Sequence, residues 1–378
     1  MGVKTYWLIL AAILAAGMIM PQEGKKKIYY IGLMTAIHIF FCGFRYMFLV
    51  GDLRKYYNTF FNAGANGFFD PSVFAGGRNF GFFWMMKIVY AFSHGNYQVF
   101  LFTLAIITQL AVAVLIYRYS PKPWLSYMVW NCLNFYIEYD FCAIKQGTAM
   151  AFMMIAFLFI MEDNPKWFYI FAIIAGTIHA PAFCFLPAYF IAHRKINTNT
   201  LIIYAVIAVL IMVFRNQIVN MVSEIYYGES EEAKFFMDNA SVGGRFIIIC
   251  LMLLTGLLLR GFENRQFSML FNLTTIAAIL QMYSGFDNVF TRLCDYYLQF
   301  TVLYLPMIFY NQDLDQDNYI LQSGNKALFP FTQDSLRVFA TILTLVLIWF
   351  YWRTSLGKNF PAGFIDNYLD YRFMWTVR

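Results

Sequence analysis

Charge is what this sequence has least of. Lys, Arg, Asp and Glu make up 13% of its 378 residues, and 61% are hydrophobic. A soluble chain carries about a quarter charged residues, so the deficit argues against a soluble globular domain and for a membrane protein. Cysteine pairs are missing as well. Cys42, Cys132, Cys142, Cys184, Cys250 and Cys294 form no CxxC and mostly lie in apolar runs. They read as small buried hydrophobes rather than as metal ligands or disulfides. Histidine is scarce, with four residues. No internal repeat is visible, and related halves are a frequent mark of transporters. The net charge of +6 sits mainly in short loops, where it reports orientation rather than nucleic-acid binding.

What is present is a string of apolar runs. Candidate spans are 5–20, 28–44, 96–117, 124–141, 142–161, 167–192, 199–214, 245–259, 266–283, 290–310 and 335–352. The first contains Ala15-Ala16-Gly17, small enough for signal cleavage. Yet Lys4 alone precedes it while Lys25-Lys26-Lys27 follow, which makes it a retained anchor. The run 167–192 is interrupted by Pro181 and Pro187, so it reads as two short helices meeting near His179. Gly81 to Phe92 is aromatic, short and contains Lys87, and reads as an interfacial or re-entrant helix. The expected fold is an all-α polytopic membrane protein of about 11–13 transmembrane helices. Residues 1–352 form one helical domain, with outer loops 45–95 and 215–244, and 353–378 form an extracytoplasmic tail.

Charge bias orients this string. With Lys25–Lys27 cytoplasmic, Arg118/Lys122, Glu162–Lys166, His193-Arg194-Lys195 and Arg260–Arg265 fall on the same side. The opposite face receives Arg45, Arg54, Arg78, Arg215, Arg245 and Arg292. Single arginines there suit capping and pairing. As a set they suit an anionic ligand.

Four segments on that face carry chemistry. In "FRYMFLVGDLRKYYNTF", Arg45, Asp52 and Tyr56 share one face if a single helix runs through Gly51. "AIKQGTAM" opens a span with Lys145 and Gln146, where the lysine can also simply snorkel. "GTIHAPAF" places His179 at an outer turn. "FTRLCDYYLQF" carries Arg292, Asp295 and Tyr296, with an Arg292–Asp295 ion pair as the plain structural reading. Arginine binds phosphate oxygens two at a time, and His or Asp accepts a proton from a hydroxyl. The set suits a reaction on a lipid-linked phosphate ester. Of the other histidines, His38 reads as a bundle hydrogen-bond partner, His94 as a turn residue and His193 as part of a basic cluster. The acidic stretch Gly228 to Ala240 reads as a solvated loop.

The order of these pieces resembles the EpsG-like branch of the Wzy polysaccharide polymerases. That branch shows an RYxxG(T)D-like segment, an RQ pair opening a central span, a His-x-[Ser/Ala]-Ala segment leading to Leu-Pro, and R-x3-Y-[FY] in a late span. Here they correspond to Arg45-Tyr46 with Gly51-Asp52, to Lys145-Gln146, to His179-Ala180-Pro181-Ala182 with Leu186-Pro187, and to Arg292 with Tyr296-Tyr297. Lys145 replaces the usual arginine, which removes planar bidentate binding there. The Arg45-to-Asp52 spacing is one residue longer than the usual form, and the threonine is missing.

The resemblance implies a GT-C-like helical architecture with an outward-facing cleft, in the bacterial inner (cytoplasmic) membrane. It implies a metal-independent, inverting glycosyltransferase without cofactor. Such an enzyme moves a glycan from undecaprenyl diphosphate to the terminal sugar hydroxyl of another lipid-linked repeat unit, building a capsule, O-antigen or exopolysaccharide. His179 is then the first candidate base and Asp52 the second. Arg45, Arg292, Lys145 and Arg78 bind diphosphate, and Gln146, Tyr56 and Tyr296, with Trp84, contact substrate. A chain-length regulator and a flippase are compatible partners. Three rivals stay open: a flippase for lipid-linked glycans, a metal-dependent glycosyltransferase using Asp313 and Asp315, and a membrane O-acyltransferase using His179.

Overall fold

In a computed structural model, residues 4–48, 51–65, 79–218, 220–221, 244–259, 262–284, 288–310, 333–357 and 372–375 are described. Among them the chain is helical, and one isolated antiparallel bridge joins Arg45 to Phe373. Two helices, Tyr97–Tyr119 and Ile144–Met161, are long and apolar enough to cross a membrane unaided. Nine further apolar helices of 10–17 residues accompany them. The all-α character expected from composition is therefore present among the described residues, and the apolar helices are consistent with a membrane protein.

The chain forms two compact units, 1–186 with 348–378, and 187–347. The first unit contains α1 (Lys4–Ile19), α2 (Lys27–Gly43), α3 (Gly51–Ala65), α4 (Phe80–Ser93), α5 (Tyr97–Tyr119), α6 (Pro123–Cys132), a π-helix (Tyr136–Cys142), α7 (Ile144–Met161), α8 (Pro165–Ile178) and a 3-10 helix (Ala180–Phe185). The second contains α9 (Ala188–Ala192), α10 (Thr198–Val213), α11 (Gly244–Leu259), α12 (Arg265–Gln281), α13 (Asn288–Leu298) and α14 (Thr301–Tyr310). Helix α15 (Gln333–Gly357) contributes to both.

Helix starts follow from local chemistry. Asn96, Asn164, Asn197 and Asn264 each accept a hydrogen bond from a first-turn backbone N–H of α5, α8, α10 and α12, which satisfies donors the helix leaves orphaned. Pro123 and Pro165 open α6 and α8, where the missing N–H costs nothing.

Within the first unit, three loops meet at one end. Lys27 Nζ donates to Ser120 O at 3.2 Å, and Lys122 pairs with Glu23. The backbone N–H of Trp124 donates to Gln22 Oε1 at 3.0 Å, and Arg118 pairs with Glu162 at 2.6 Å. The Lys122 ammonium holds the exposed Glu23 carboxyl below its usual range. These are the loops around Lys25–Lys27, Arg118/Lys122 and Glu162–Lys166, which charge bias assigns to one side. Because α2, α5, α7 and α8 alternate in direction between loops, the C-terminal ends of α2 and α8 and the N-terminal ends of α5 and α7 lie at the opposite end. Arg45, Gln98, Lys145, Gln146 and His179 follow from those ends.

The run 167–192 breaks at His179, as its prolines require. The run 124–141 is interrupted as well: α6 stops at Cys132, Asn134 takes a positive φ of 65°, and the chain resumes as a π-helix. That π-helix packs its backbone onto α7. A Cβ on Gly147 would stand 2.6 Å from the carbonyl oxygen of Tyr139, so α7 needs a glycine there. Gly147→Val is expected to lower the apparent melting temperature of the detergent-purified protein, because overpacking costs about 1–3 kcal/mol. An unchanged melting temperature would show that the π-helix can move away at no cost.

Candidate active site

Helix α2 ends at Gly43, and the chain then runs extended rather than helical. Tyr46 N donates to Arg372 O at 2.8 Å, and Met374 N donates to Phe44 O at 2.9 Å. Helix α3 begins afresh at Gly51. The single helical face for Arg45, Asp52 and Tyr56 therefore does not form. The bridge to Phe373 holds Arg45 in extended backbone, and Gly51 opens a new helix. Asp52 lies in the first turn of α3, and its side chain is outside the described residues. Tyr56 is half-buried, its ring edge-on to Phe82 at 5.6 Å.

Arg45 is fully buried (0% exposed). Its Nη1 donates to Cys42 O at 2.5 Å and lies 2.7 Å from Cys42 Sγ. Its guanidinium sits 5.3 Å from the centre of the Phe141 ring, a cation–π contact. Gln98 Nε2 fixes the backbone on both sides, donating to Gly43 O at 2.7 Å and Arg45 O at 3.1 Å. The other edge of the fork, Nε and Nη2, has no hydrogen-bond partner among the described residues. That edge is the geometry a guanidinium uses to grip two oxygens of a carboxylate or phosphate. A buried cation with two idle donors is costly unless a ligand supplies the acceptors.

The residue that sequence reasoning missed is Asp140. It lies in the π-helix, is buried, and stands within electrostatic reach of Arg45. Gln109 of α5 donates to its Oδ2 at 2.5 Å, while Oδ1 has no partner among the described residues. Its backbone oxygen accepts from Cys42 Sγ at 3.2 Å, so the π-helix grips the turn that carries Arg45 by backbone, ring and charge. π-Helical turns recur at functional sites. The available signal was an acidic residue inside an apolar run, which is costly without a purpose.

His179 is the C-cap of α8, extended and buried. The turn is pinned on both sides: His179 O accepts from Ala182 N at 2.8 Å, and Asn79 Oδ1 accepts from Ala180 N at 2.9 Å. Phe183 folds back against α8 where Gly176 has no side chain, since a Cβ there would meet its ring at 2.3–2.6 Å. Lys145 is half-buried and Gln146 buried at the start of α7, and α7 touches the 3-10 helix that follows His179. Thus Arg45, Asp140, Lys145, Gln146 and His179 share one end of the first unit.

In the second unit, Arg292 is half-buried on α13 and Tyr296 fully buried, so the Tyr296 ring packs inside this unit. Asp295 is ion-paired with Arg245 of α11. Arg245 reaches both carboxylate oxygens, Nη2 to Oδ1 and Nη1 to Oδ2 at 3.4 Å. Helix α11 packs against α12, and α12 against α13, which brings the start of α11 beside Asp295. Arg78, Asp313, Asp315 and the acidic stretch Gly228 to Ala240 lie outside the described residues.

His38, the mid-span histidine, is buried, with its two ring nitrogens against Met34 O at 2.7 Å and Asn131 Nδ2 at 2.9 Å. It is the bundle partner its position suggested. His94 caps α4 with φ 50°. No group of three or more His, Cys, Asp or Glu able to hold a metal occurs among the described residues.

The sequence model of the EpsG family matches residues 28–322, more than half of the chain. The chain belongs to the EpsG family. This is the branch whose motifs the sequence resembled, and the match spans all four chemistry-bearing segments. Membership of the EpsG family carries a polysaccharide polymerase-like, glycosyltransferase-like role in a membrane protein. Comparison with curated proteins and with solved structures gave no match.

Proposed function

We propose that this EpsG-family protein is a polysaccharide polymerase whose donor is a glycan linked to a polyprenyl diphosphate. The observation that carries the reading is the idle Nε/Nη2 edge of buried Arg45, at the same end of its unit as Lys145 and His179. The donor would be an undecaprenyl-diphosphate-linked repeat unit, bound in a GT-C-like cleft on the extracytoplasmic side of the bacterial inner membrane.

Negative charge grows on the departing diphosphate, and a preorganised guanidinium lowers that barrier. Arg45 supplies it with Lys145 or Arg78 assisting, and Arg292 keeps the diphosphate-binding role that its motif implies. Asp140 and Gln109 hold the Arg45 turn in register. His179 accepts the proton of the acceptor sugar hydroxyl, with Asp52 as the second candidate. The hydroxyl oxygen attacks the anomeric carbon, the bond to the diphosphate oxygen breaks, and the configuration inverts. Gln146 and Tyr56 are the substrate-contacting candidates in this unit.

The test is a glycan ladder made by purified protein from its cognate undecaprenyl-diphosphate repeat unit, with and without EDTA. The expected result is a ladder that survives EDTA and falls about 100- to 10,000-fold in His179→Ala, the usual contribution of a general base. No ladder from wild type on the cognate unit would overturn the polymerase reading in favour of lipid-linked glycan transport. Loss of the ladder in EDTA would move the chemistry to a metal site. Asp140→Asn, which keeps an acceptor for Gln109 and removes the charge, is expected to lose about ten- to a hundredfold in kcat/KM, the worth of one charge-assisted interaction. Wild-type kcat/KM in that variant would show that Asp140 does not act on Arg45.

A further inference from the structure

The second unit holds a cleft of about 430 Å³ that the proposed reaction does not use, lined among others by His193, Arg194, Lys195, Phe262, Glu263 and Arg265. Three permanent cations against one carboxylate leave it with a net charge of +2. Its volume lies within the range of small-ligand sites.

The cleft has a built frame. Asn272, fully buried on α12, donates its side-chain N–H groups to Arg194 O at 2.7 Å and Ala192 O at 3.3 Å. Its oxygen accepts from Tyr204 OH at 2.8 Å. Thr200 Oγ1 donates to Lys195 O at 2.8 Å, and Ser268 Oγ donates to Phe262 O at 3.1 Å. Backbone on both sides is tied back by buried or half-buried polar groups, while Arg194, Lys195 and Arg265 stay exposed.

The electrostatics favour an anion, since Glu263 offsets only one of the three cations. Arg265 opens α12, whose first turn has no acidic residue. A cation there faces the positive end of the helix dipole, and Arg194 and Lys195 add charge of the same sign. A phosphate between them relieves both conflicts. Immediately after the cleft, α10 exposes Ile202, Ile203, Val206, Val209 and Leu210. A basic cleft that continues into an apolar helix face matches a ligand with a phosphate at one end and acyl chains at the other.

We propose that this cleft binds the headgroup phosphate of an anionic phospholipid, with the acyl chains laid against α10. Native mass spectrometry of the full-length, detergent-purified protein tests it, with phosphatidylglycerol, phosphatidylethanolamine or inorganic phosphate added in separate arms. Wild type is expected to retain phosphatidylglycerol over phosphatidylethanolamine. The Arg194→Gln/Lys195→Gln/Arg265→Gln variant is expected to bind phosphatidylglycerol about a hundredfold more weakly, at roughly fivefold per cation. Arg265→Gln alone, with about a fivefold loss, keeps the test valid if the triple variant does not fold. Lys25→Gln/Lys26→Gln/Lys166→Gln, which removes three exposed cations of the first unit, is expected to bind as wild type does. Equal retention by the cleft variants, or equal loss in the Lys25/Lys26/Lys166 control, overturns the proposal. Inorganic phosphate that binds wild type as tightly as the lipid does would assign the cleft to a soluble phosphate compound instead.

Discussion

Arg45→Ala ends chain growth while the protein still reaches the membrane. The guanidinium is buried, gripped on one edge by the Cys42 turn and idle on the other. Removing a preorganised donor from a developing oxyanion typically costs about 100- to 1,000-fold in kcat, and Arg45 brings two such donors together with a full charge. Arg45→Lys separates binding from packing. Lysine keeps the charge and much of the volume but has no planar fork, so it is expected to recover only part of the rate. The measurement is kcat and KM for the lipid-linked donor in both variants, with melting temperature as the control for folding. An Arg45→Ala enzyme within tenfold of wild type would remove Arg45 from the phosphate site.

The largest stability effect is expected at Asp295. It is buried, and the Arg245 guanidinium reaches both of its oxygens. Asp295→Ala leaves that guanidinium buried without its counter-charge, at a cost of about 3–5 kcal/mol. Arg245→Met combined with Asp295→Leu removes both charges and keeps apolar volume, so it is expected to regain most of the loss. Melting temperatures of the two variants in one detergent check this. Equal melting temperatures for Asp295→Ala and the double variant would show that the pair is not what costs stability when broken.

The architecture was legible where hydropathy alone decides it. The runs 96–117 and 142–161 became α5 and α7 with ends shifted by a few residues, and the prolines after His179 broke the run 167–192 as their chemistry requires. His38 and His94 were legible for similarly local reasons. Three features were not. Hydropathy cannot separate i→i+5 from i→i+4 bonding, so the apolar run containing Tyr136–Cys142 gave no sign of the π-helix. The role of Asp140 depends on Gln109, Cys42 and Arg45, which come from elements distant in sequence. The Arg245 partner of Asp295 was not foreseen, because helix packing supplies it from α11, an element distant in sequence. Of the candidate residues, Arg45, Lys145, Gln146 and His179 were legible as a group, and they share one end of the first unit. The reading of Arg45, Asp52 and Tyr56 as one helical face failed because Gly51 starts a new helix.

The central claim is that the idle edge of Arg45 receives the diphosphate of the lipid carrier. The most direct test needs no knowledge of the sugar: binding of undecaprenyl diphosphate and undecaprenyl monophosphate to purified wild type, Arg45→Lys and Arg45→Ala. The expected result is saturable binding that favours the diphosphate in wild type. It should weaken about tenfold in Arg45→Lys and about a hundredfold in Arg45→Ala, as charge-assisted bonds of about 1.5–3 kcal/mol are removed. Equal affinity across the three proteins would contradict the account and leave Arg45 as a structural cation of the bundle.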